Sequence, residues 1–575
     1  MGELAELIAC ARRPLAAVDA SVAGHFTGWD WLVLIVYLAG TTWLGARLAG
    51  RQSTIREFFL GGRRLPWWAV SGSIVATEVS AVTFISVPGR VFSPGGNFGY
   101  LQLALGAIVA KLLIAAWLVP AYYAREIYSP YDFIRNRLGA GAGRASTALF
   151  MLGAVLAQGV RVLLTALVLE VVTGIPLWQS IWIIGVTSIV WTLLGGITTV
   201  IWTDVIQFGV LITGAIVALA WVSASVTGGL VGALEAASAA GKLRVWNLSL
   251  SPALEYTLWS GLLGMTFNNL ASLGTDQVMA QRMFCCRGAS DARKAVIASL
   301  LGLAVPITML LVGAALFAYY QQHPLSGDAA AMVREKPDRV FPIFIVQVLP
   351  AGVTGLLIAA VFAAAISTLD STLAALAQTT VSVLGGLRGD ATEADPHQAG
   401  RWVLWSKVFV VIWGIALSGV ATALIPVKAY RNVIDLALAV PGFTYGALLG
   451  MLLLGLLSRR SDDHGLIWAI PTSVLSIVAL TFHQAWVRPA LAMCGMLLIA
   501  LGIARLRRRP AALGTVIAAV AFVALLHWLT TPVGDAPARL TLAYPWSYPI
   551  GTLLTLALGW ACARRLPSGA TVSTP

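Results

Sequence analysis

Runs of about twenty apolar residues, separated by short polar connections, fill almost the whole chain. A helix needs about 20 such residues to cross the hydrocarbon of a bilayer. About fifteen runs are long enough to cross or nearly cross it: 29–49, 67–92, 100–122, 145–173, 176–194, 200–224, 256–283, 293–320, 352–384, 402–425, 432–457, 466–482, 489–505, 512–531 and 547–563. Two of them are interrupted by glycine and polar residues. The run 67–92 carries Glu78, Ser80 and Thr83, and the run 256–283 carries Asn268, Asn269 and Ser272. A third, 352–384, holds Ser367, Thr368, Asp370 and Ser371 deep inside it. The pattern predicts an all-α polytopic membrane protein with polar groups at depth in three spans.

Composition agrees. Hydrophobic residues are 58% of the chain, charged ones 11%, and the mean hydropathy is +0.83, which excludes an ordinary soluble domain. The net charge of +13 raises nucleic acid as a partner, but its distribution argues against one. Basic clusters follow the first span (Arg47, Arg51, Arg56, Arg63, Arg64), the third (Arg125, Arg135, Arg137, Arg144), the seventh (Arg282, Arg287, Arg293, Lys294), the eleventh (Arg459, Arg460) and the thirteenth (Arg505, Arg507, Arg508, Arg509). Alternate loops are thus basic, which marks them as cytoplasmic. The expected place is a bacterial cytoplasmic (inner) membrane, with the N-terminus outside and the C-terminus inside. Cys285 and Cys286 then face a reducing compartment. The stretches 225–255, 321–350 and 386–401 read as loops, and no Walker loop points to ATP-driven work.

The polar insert in 352–384 carries the chemistry. Hydroxyls and carboxylates are hard ligands for small hard cations, and polar groups at membrane depth face a cavity, an ion or one another. The competing account is Ser and Thr bonding back to their own helix carbonyls. Breaks in spans two and seven mark the backbone that a transport site uses, since freed carbonyls are tolerated at depth only around a ligand or water. Arg161 lies far from either end of its span, where burial costs about 2.5–3.5 kcal/mol on insertion scales. It reads either as an ion-pair partner of Glu78 or as a clamp for a carboxylate, which a guanidinium meets bidentately.

Four patches together resemble the sodium:solute symporter family in its bacterial form: Phe58 to Phe84, Gly195 to Gln207, Gly274 to Arg282, and the Ser367–Thr368 insert. The likeness runs from about Trp29 to Arg460. It implies the LeuT-like inverted repeat of the amino-acid transporter superfamily, five helices followed by five of opposite orientation. One extra span precedes the repeats and several follow. The implied divisions are 1–28 (extracytoplasmic N-terminus), 29–49 (extra span), 67–224 (first repeat), 256–457 (second repeat), 466–563 (additional spans) and 564–575 (cytoplasmic tail). The resemblance places sodium, the coupling ion, on the carbonyls of Ala76, Val79 and Ala364 and the hydroxyls of Ser367 and Thr368. A candidate second cation site takes Asp204, Ser367, Asp370 and Ser371; alternatively Asp204 caps a helix start, and two acids there hold a proton. The solute pocket maps to Glu78, Ser80, Thr83, Phe98, Gln102, Arg161, Asn268, Asn269 and Ser272. Sugar-transporting relatives have an aromatic residue where Ser272 stands, so this chain departs from them.

The expected function is sodium-coupled import of a small polar solute, an organic anion or acidic sugar of the monocarboxylate or sialic-acid kind. No covalent chemistry, nucleic acid or obligate protein partner is expected; the partners are the solute and the lipid bilayer. A proton-coupled carrier or exchanger of the same fold is the first alternative. The second is a membrane sensor, which would append a kinase module where only Leu566 to Pro575 follows the last span.

Overall fold

The computed structural model describes residues 26–48, 57, 60–124, 129–194, 197–384, 396–425, 439–457, 466–481, 495, 513–531 and 539–562. Residues 1–25, the tail 564–575 and all but one residue of the expected span at 489–505 lie outside them. The described residues are helical, with no β-strand and one isolated bridge between Leu65 and Cys286.

In chain order the helices are α1 (Gly28–Leu48), α2 (Trp67–Glu78), α3 (Ala81–Phe92), α4 (Gln102–Leu113, continued through a wider turn to Tyr123), α5 (Pro130–Leu138), α6 (Ala140–Thr173), α7 (Leu177–Leu194) and α8 (Ile197–Ala224). The second half holds α9 (Gly229–Ala239), α10 (Met265–Thr275), α11 (Gln277–Phe284), α12 (Ala289–Ala298), α13 (Ala304–Gln322), α14 (Gly327–Glu335), α15 (Val340–Val348) and α16 (Val353–Val383). It ends with α17 (Pro396–Ala423), α18 (Gly442–Leu457), α19 (Leu466–Thr481), α20 (Leu513–Thr530) and α21 (Ser547–Cys562). Among the described residues, six helical stretches are long and apolar enough to cross a membrane, or seven if the bent pair α2–α3 is one span. The stretches expected as plain loops at 225–255 and 321–350 contain α9, α14 and α15. Their Ala- and Val-rich faces bury Ala233, Ala237, Ala329 and Val333 against the bundle, which a hydropathy reading of whole spans does not register.

α16 is the central helix. Its apolar window is 89% buried, against 28% for that of α17, which presents most of its surface outward. α8 and α1 pack on α16, α3 packs on α13, α10 lies between α4 and α18, and α21 fills the groove between α18 and α19. Small residues permit these approaches. A Cβ on Gly355 would stand 2.7 Å from the Asp30 backbone, and one on Gly450 would meet Thr555 at 2.6 Å.

Asp30 joins the starts of two helices. Its Oδ2 accepts from the amide and hydroxyl of Thr27, and its Oδ1 accepts from the amides of Gly352 and Gly355 at 2.7 and 2.8 Å. The first amides of α16, which lack partners within the helix, are met in this way. Lys242, in the stretch 225–255, is buried and donates to the carbonyls of Val91, Phe92 and Ser93 at the end of α3. A cation there complements the negative end of the helix.

Candidate functional site

The break in the first half falls at Val79 and Ser80. Val79 (φ −85°, ψ 95°) and Ser80 (φ −87°, ψ 166°) are extended, and α2 and α3 meet at 53°. The Thr83 amide bonds to Ser80 O rather than to Val79 O. The carbonyls from Ala76 to Val79 therefore lose the amide four residues on. Carbonyls freed on α2 and hydroxyls on α16, two helices in contact, are uncharged oxygen donors of the kind a monovalent cation takes, so the chemistry of these residues fits a sodium ion. Thr368 Oγ1 now donates to Ala364 O at 2.6 Å, which is the back-bonding considered above; its lone pairs remain available.

Ser367 leads instead to a charged cluster. Its hydroxyl donates to Asp204 Oδ1 at 2.5 Å, and Ser73 of α2 donates to Asp204 Oδ2 at 2.5 Å. Arg282 of α11 completes the group. Its Nη2 pairs with Asp204 Oδ2 at 2.9 Å and donates to Ser371 Oγ, while its Nε donates to Ser73 Oγ at 2.7 Å. Nη1 donates to Val278 O at 2.6 Å. Both charged side chains are 1% exposed.

One expectation changes here. Arg282, counted among the cytoplasmic basic residues, is buried in the core. Within the expected set Asp204, Ser367, Asp370 and Ser371, the Arg282 guanidinium joins Asp204 to Ser371. A mobile cation at Asp204 would meet that positive charge.

Arg161 and Glu78 do not pair. Glu78 Oε2 binds Lys111 Nζ of α4 at 2.7 Å, and Lys111 also donates to Ser299 O at 3.2 Å. Lys111 is 2% exposed. A lone cation inside an apolar run was the signal that singled out Arg161, and it marks Lys111 equally well. Lys111→Met is expected to destabilise the protein by about 1–3 kcal/mol by leaving Glu78 half-buried and unpaired. Thermal unfolding of Lys111→Met and of the Lys111→Met/Glu78→Gln pair checks this, the double variant recovering most of the loss.

The second break falls at Asp276 (φ −76°, ψ 125°), between α10 and α11. Three tyrosines hold it. Tyr122 donates to Gly274 O at 2.5 Å, the Gln277 amide donates to Tyr131 Oη at 3.3 Å, and Tyr445 of α18 donates to Asp276 Oδ2. Asp276 Oδ1 caps α11 by accepting from Val278 N at 2.8 Å. The Gly274–Thr275–Asp276–Gln277 motif thus ends one helix and begins the next.

The mapped solute residues divide by their surroundings. Glu78, Thr83, Arg161, Asn268, Asn269 and Ser272 are half-buried. Arg161, on α6, lies close enough to Asp276, Tyr445 and Tyr548 for its charge to act on them. Asn269 Nδ2 is bound to Met265 O at 2.8 Å. Ser80 and Phe98 are buried. Gln102 is committed elsewhere: its Nε2 donates to the carbonyls of Gly99 and Tyr256 at 3.3 and 3.2 Å, and its Oε1 accepts from Asn247 N at 3.0 Å.

The sequence pattern defining the sodium:solute symporter family matches residues 58–472, more than half of the chain. The chain belongs to the sodium:solute symporter family. The match begins after α1, which the resemblance read from sequence had included. Similar proteins include sodium-coupled monocarboxylate transporter 2 of Bos taurus, 28% identical over 78% of this chain and 72% of its own length. They also include the sodium/sialic acid symporter SiaT of Proteus mirabilis, 28% identical over 78% of this chain and 89% of its own. The solved substrate-bound outward-open state of a Na+-coupled sialic acid symporter superposes with a TM-score of 0.74. That match covers 94% of this chain and 100% of the other at 24% identity, and the two share a fold. Family membership and the apolar helices make this a membrane protein of a transporter family.

Proposed function

We propose that this protein is a sodium-coupled symporter that imports a small organic anion, a monocarboxylate or an acidic sugar. The observation that carries the reading is the break of α2 beside α16. Freed carbonyls from Ala76 to Val79 sit on a helix that shares Asp204 with Ser367, so backbone and hydroxyl oxygens of a neutral cation site lie on two adjoining helices. The solute occupies the space between the two breaks, bounded by Thr83, Asn268, Asn269 and Ser272, with Arg161 as the cation that meets its carboxylate. Relatives named for monocarboxylates and for sialic acid both carry carboxylates, which supports this choice.

The same reading takes the fold as two inverted five-helix repeats, 67–224 and 256–457, with the breaks in the first span of each. It takes the whole as about fifteen spans in a bacterial inner membrane, with the N-terminus outside and the C-terminus inside. The basic residues of alternate loops support that orientation.

Sodium activation tests the proposal. Ser367→Ala and Thr368→Ala are expected to raise the sodium concentration for half-maximal uptake about tenfold or more, since about 1.4 kcal/mol is a factor of ten. Solute affinity at saturating sodium should suffer less. Uptake into proteoliposomes against a sodium series gives both numbers. Unchanged sodium dependence in both variants would place the ion elsewhere.

A further inference from the structure

Between α9 and α10 the chain runs without helix over residues 244–251. Its side chains alternate, as those of an extended strand do. Val245, Asn247 and Ser249 are half-buried, and Val245 packs on the core. Arg244 is exposed, and so are Trp246 (59%), Leu248 (65%) and Leu250 (76%). No charged residue lies between Arg244 and Glu255. A row of large apolar side chains held outward in this way marks a contact surface.

The inner edge of the stretch is fastened, so these side chains cannot simply turn in. Asn247 N donates to Gln102 Oε1 at 3.0 Å, and Asn247 O accepts from Leu258 N at 2.8 Å. Leu248 O accepts from the Trp259 indole at 3.2 Å. Asn247 Oδ1 accepts from Ser249 N at 3.1 Å, and Ser249 Oγ accepts from Ser251 N at 3.2 Å. Pro252 O accepts from Ala543 N at 2.8 Å. Backbone groups met in this way need little water, which is the condition for lying against lipid.

The neighbours fix the depth. Phe98 N donates to Lys242 O at 3.0 Å, and Gln102 stands one turn further on. Both belong to the apolar stretch Phe98–Tyr123, 26 residues long. At 1.5 Å per residue it reaches up to about 39 Å, against about 30 Å of hydrocarbon, so its first turn stands in the headgroup zone. On the other flank Trp259 is followed one turn on by Leu263, which is 46% exposed, so the apolar surface continues down that helix. Tryptophan prefers this zone, and arginine reaches from it to the phosphates.

We propose that Trp246, Leu248 and Leu250 seat this stretch in the bilayer interface, at the boundary of headgroups and acyl chains, with Arg244 beside the lipid phosphates. The seat braces the first turn of α4 through Asn247 and Gln102. It is independent of the ion and solute sites.

The test reads depth on the full chain in vesicles of phosphatidylethanolamine and phosphatidylglycerol. With the native cysteines replaced by serine, Leu248→Cys and Leu250→Cys each receive a nitroxide label. Collisions with oxygen, which concentrates in lipid, are compared with collisions with a nickel chelate, which stays in water. Both labels are expected to meet oxygen several-fold more often than nickel. An excess of nickel collisions puts the stretch in water, and shielding from both reagents puts it under a second copy or another protein. Either result overturns the proposal. A second measurement needs no variant, should the cysteine replacements unfold the chain. Wild-type protein is irradiated with a phospholipid carrying a diazirine near its carbonyl, and the adducts are mapped by mass spectrometry. Adducts within 246–250 are expected. Adducts on the exposed Trp221 near the end of α8 with none on 246–250 would overturn the proposal.

Discussion

Arg282→Gln is expected to destabilise the protein by about 3–5 kcal/mol, the cost of leaving a buried partner charge uncompensated. The guanidinium holds α2 through Ser73, α8 through Asp204 and α16 through Ser371, all from α11. Its loss leaves Asp204 with two serine hydroxyls and no positive charge. The variant should unfold at markedly lower temperature in detergent and accumulate poorly in the membrane. Arg282→Gln/Asp204→Asn removes both charges and should recover much of the loss, because a neutral amide pair has no charge to strand. Equal unfolding temperatures for Arg282→Gln and wild type would show that the ion pair is not what ties these four helices together.

Filling the space between the breaks should abolish uptake. Thr83 lies in the first turn of α3, just past the break, and Ser272 lies on α10 shortly before the break at Asp276. Both are half-buried, and an indole at either position would fill the solute space proposed between the breaks. Thr83→Trp and Ser272→Trp are each expected to reduce uptake to background while the protein reaches the membrane in normal amount. Sodium binding to the purified variants should survive, because the oxygens proposed for the ion come from α2, its break and α16. Normal uptake by both variants would move the solute elsewhere.

What could be read in advance followed the physics of each signal. Hydropathy located helices well: the run expected at 67–92 is α2 and α3, Trp67–Glu78 and Ala81–Phe92, and the run at 352–384 is Val353–Val383. Apolar length is a local property, and nothing at long range competes with it. The polar breaks were legible for the same reason, as serine, asparagine and glycine interrupted otherwise continuous runs. The pairing of charges was not. Whether Glu78 meets Arg161 or Lys111 depends on how helices rotate against one another, and sequence spacing carries no such information. Arg282 was misplaced because a basic residue at the end of a span looks the same whether it points to the cytoplasm or back into the bundle.

Asp30 makes one buried event readable from outside. Its carboxylate fastens the start of α1 to the start of α16, and Ser367 lies fourteen residues beyond Val353, about 21 Å along that helix at 1.5 Å per residue. A tilt of α16 on ion binding is expected to pull on the first turn of α1 through these bonds. Trp29, beside the anchor and 68% exposed, occupies the far end of that lever. A fluorophore placed at position 29 is expected to report occupancy of the proposed ion site, and Asp30→Asn to abolish that response.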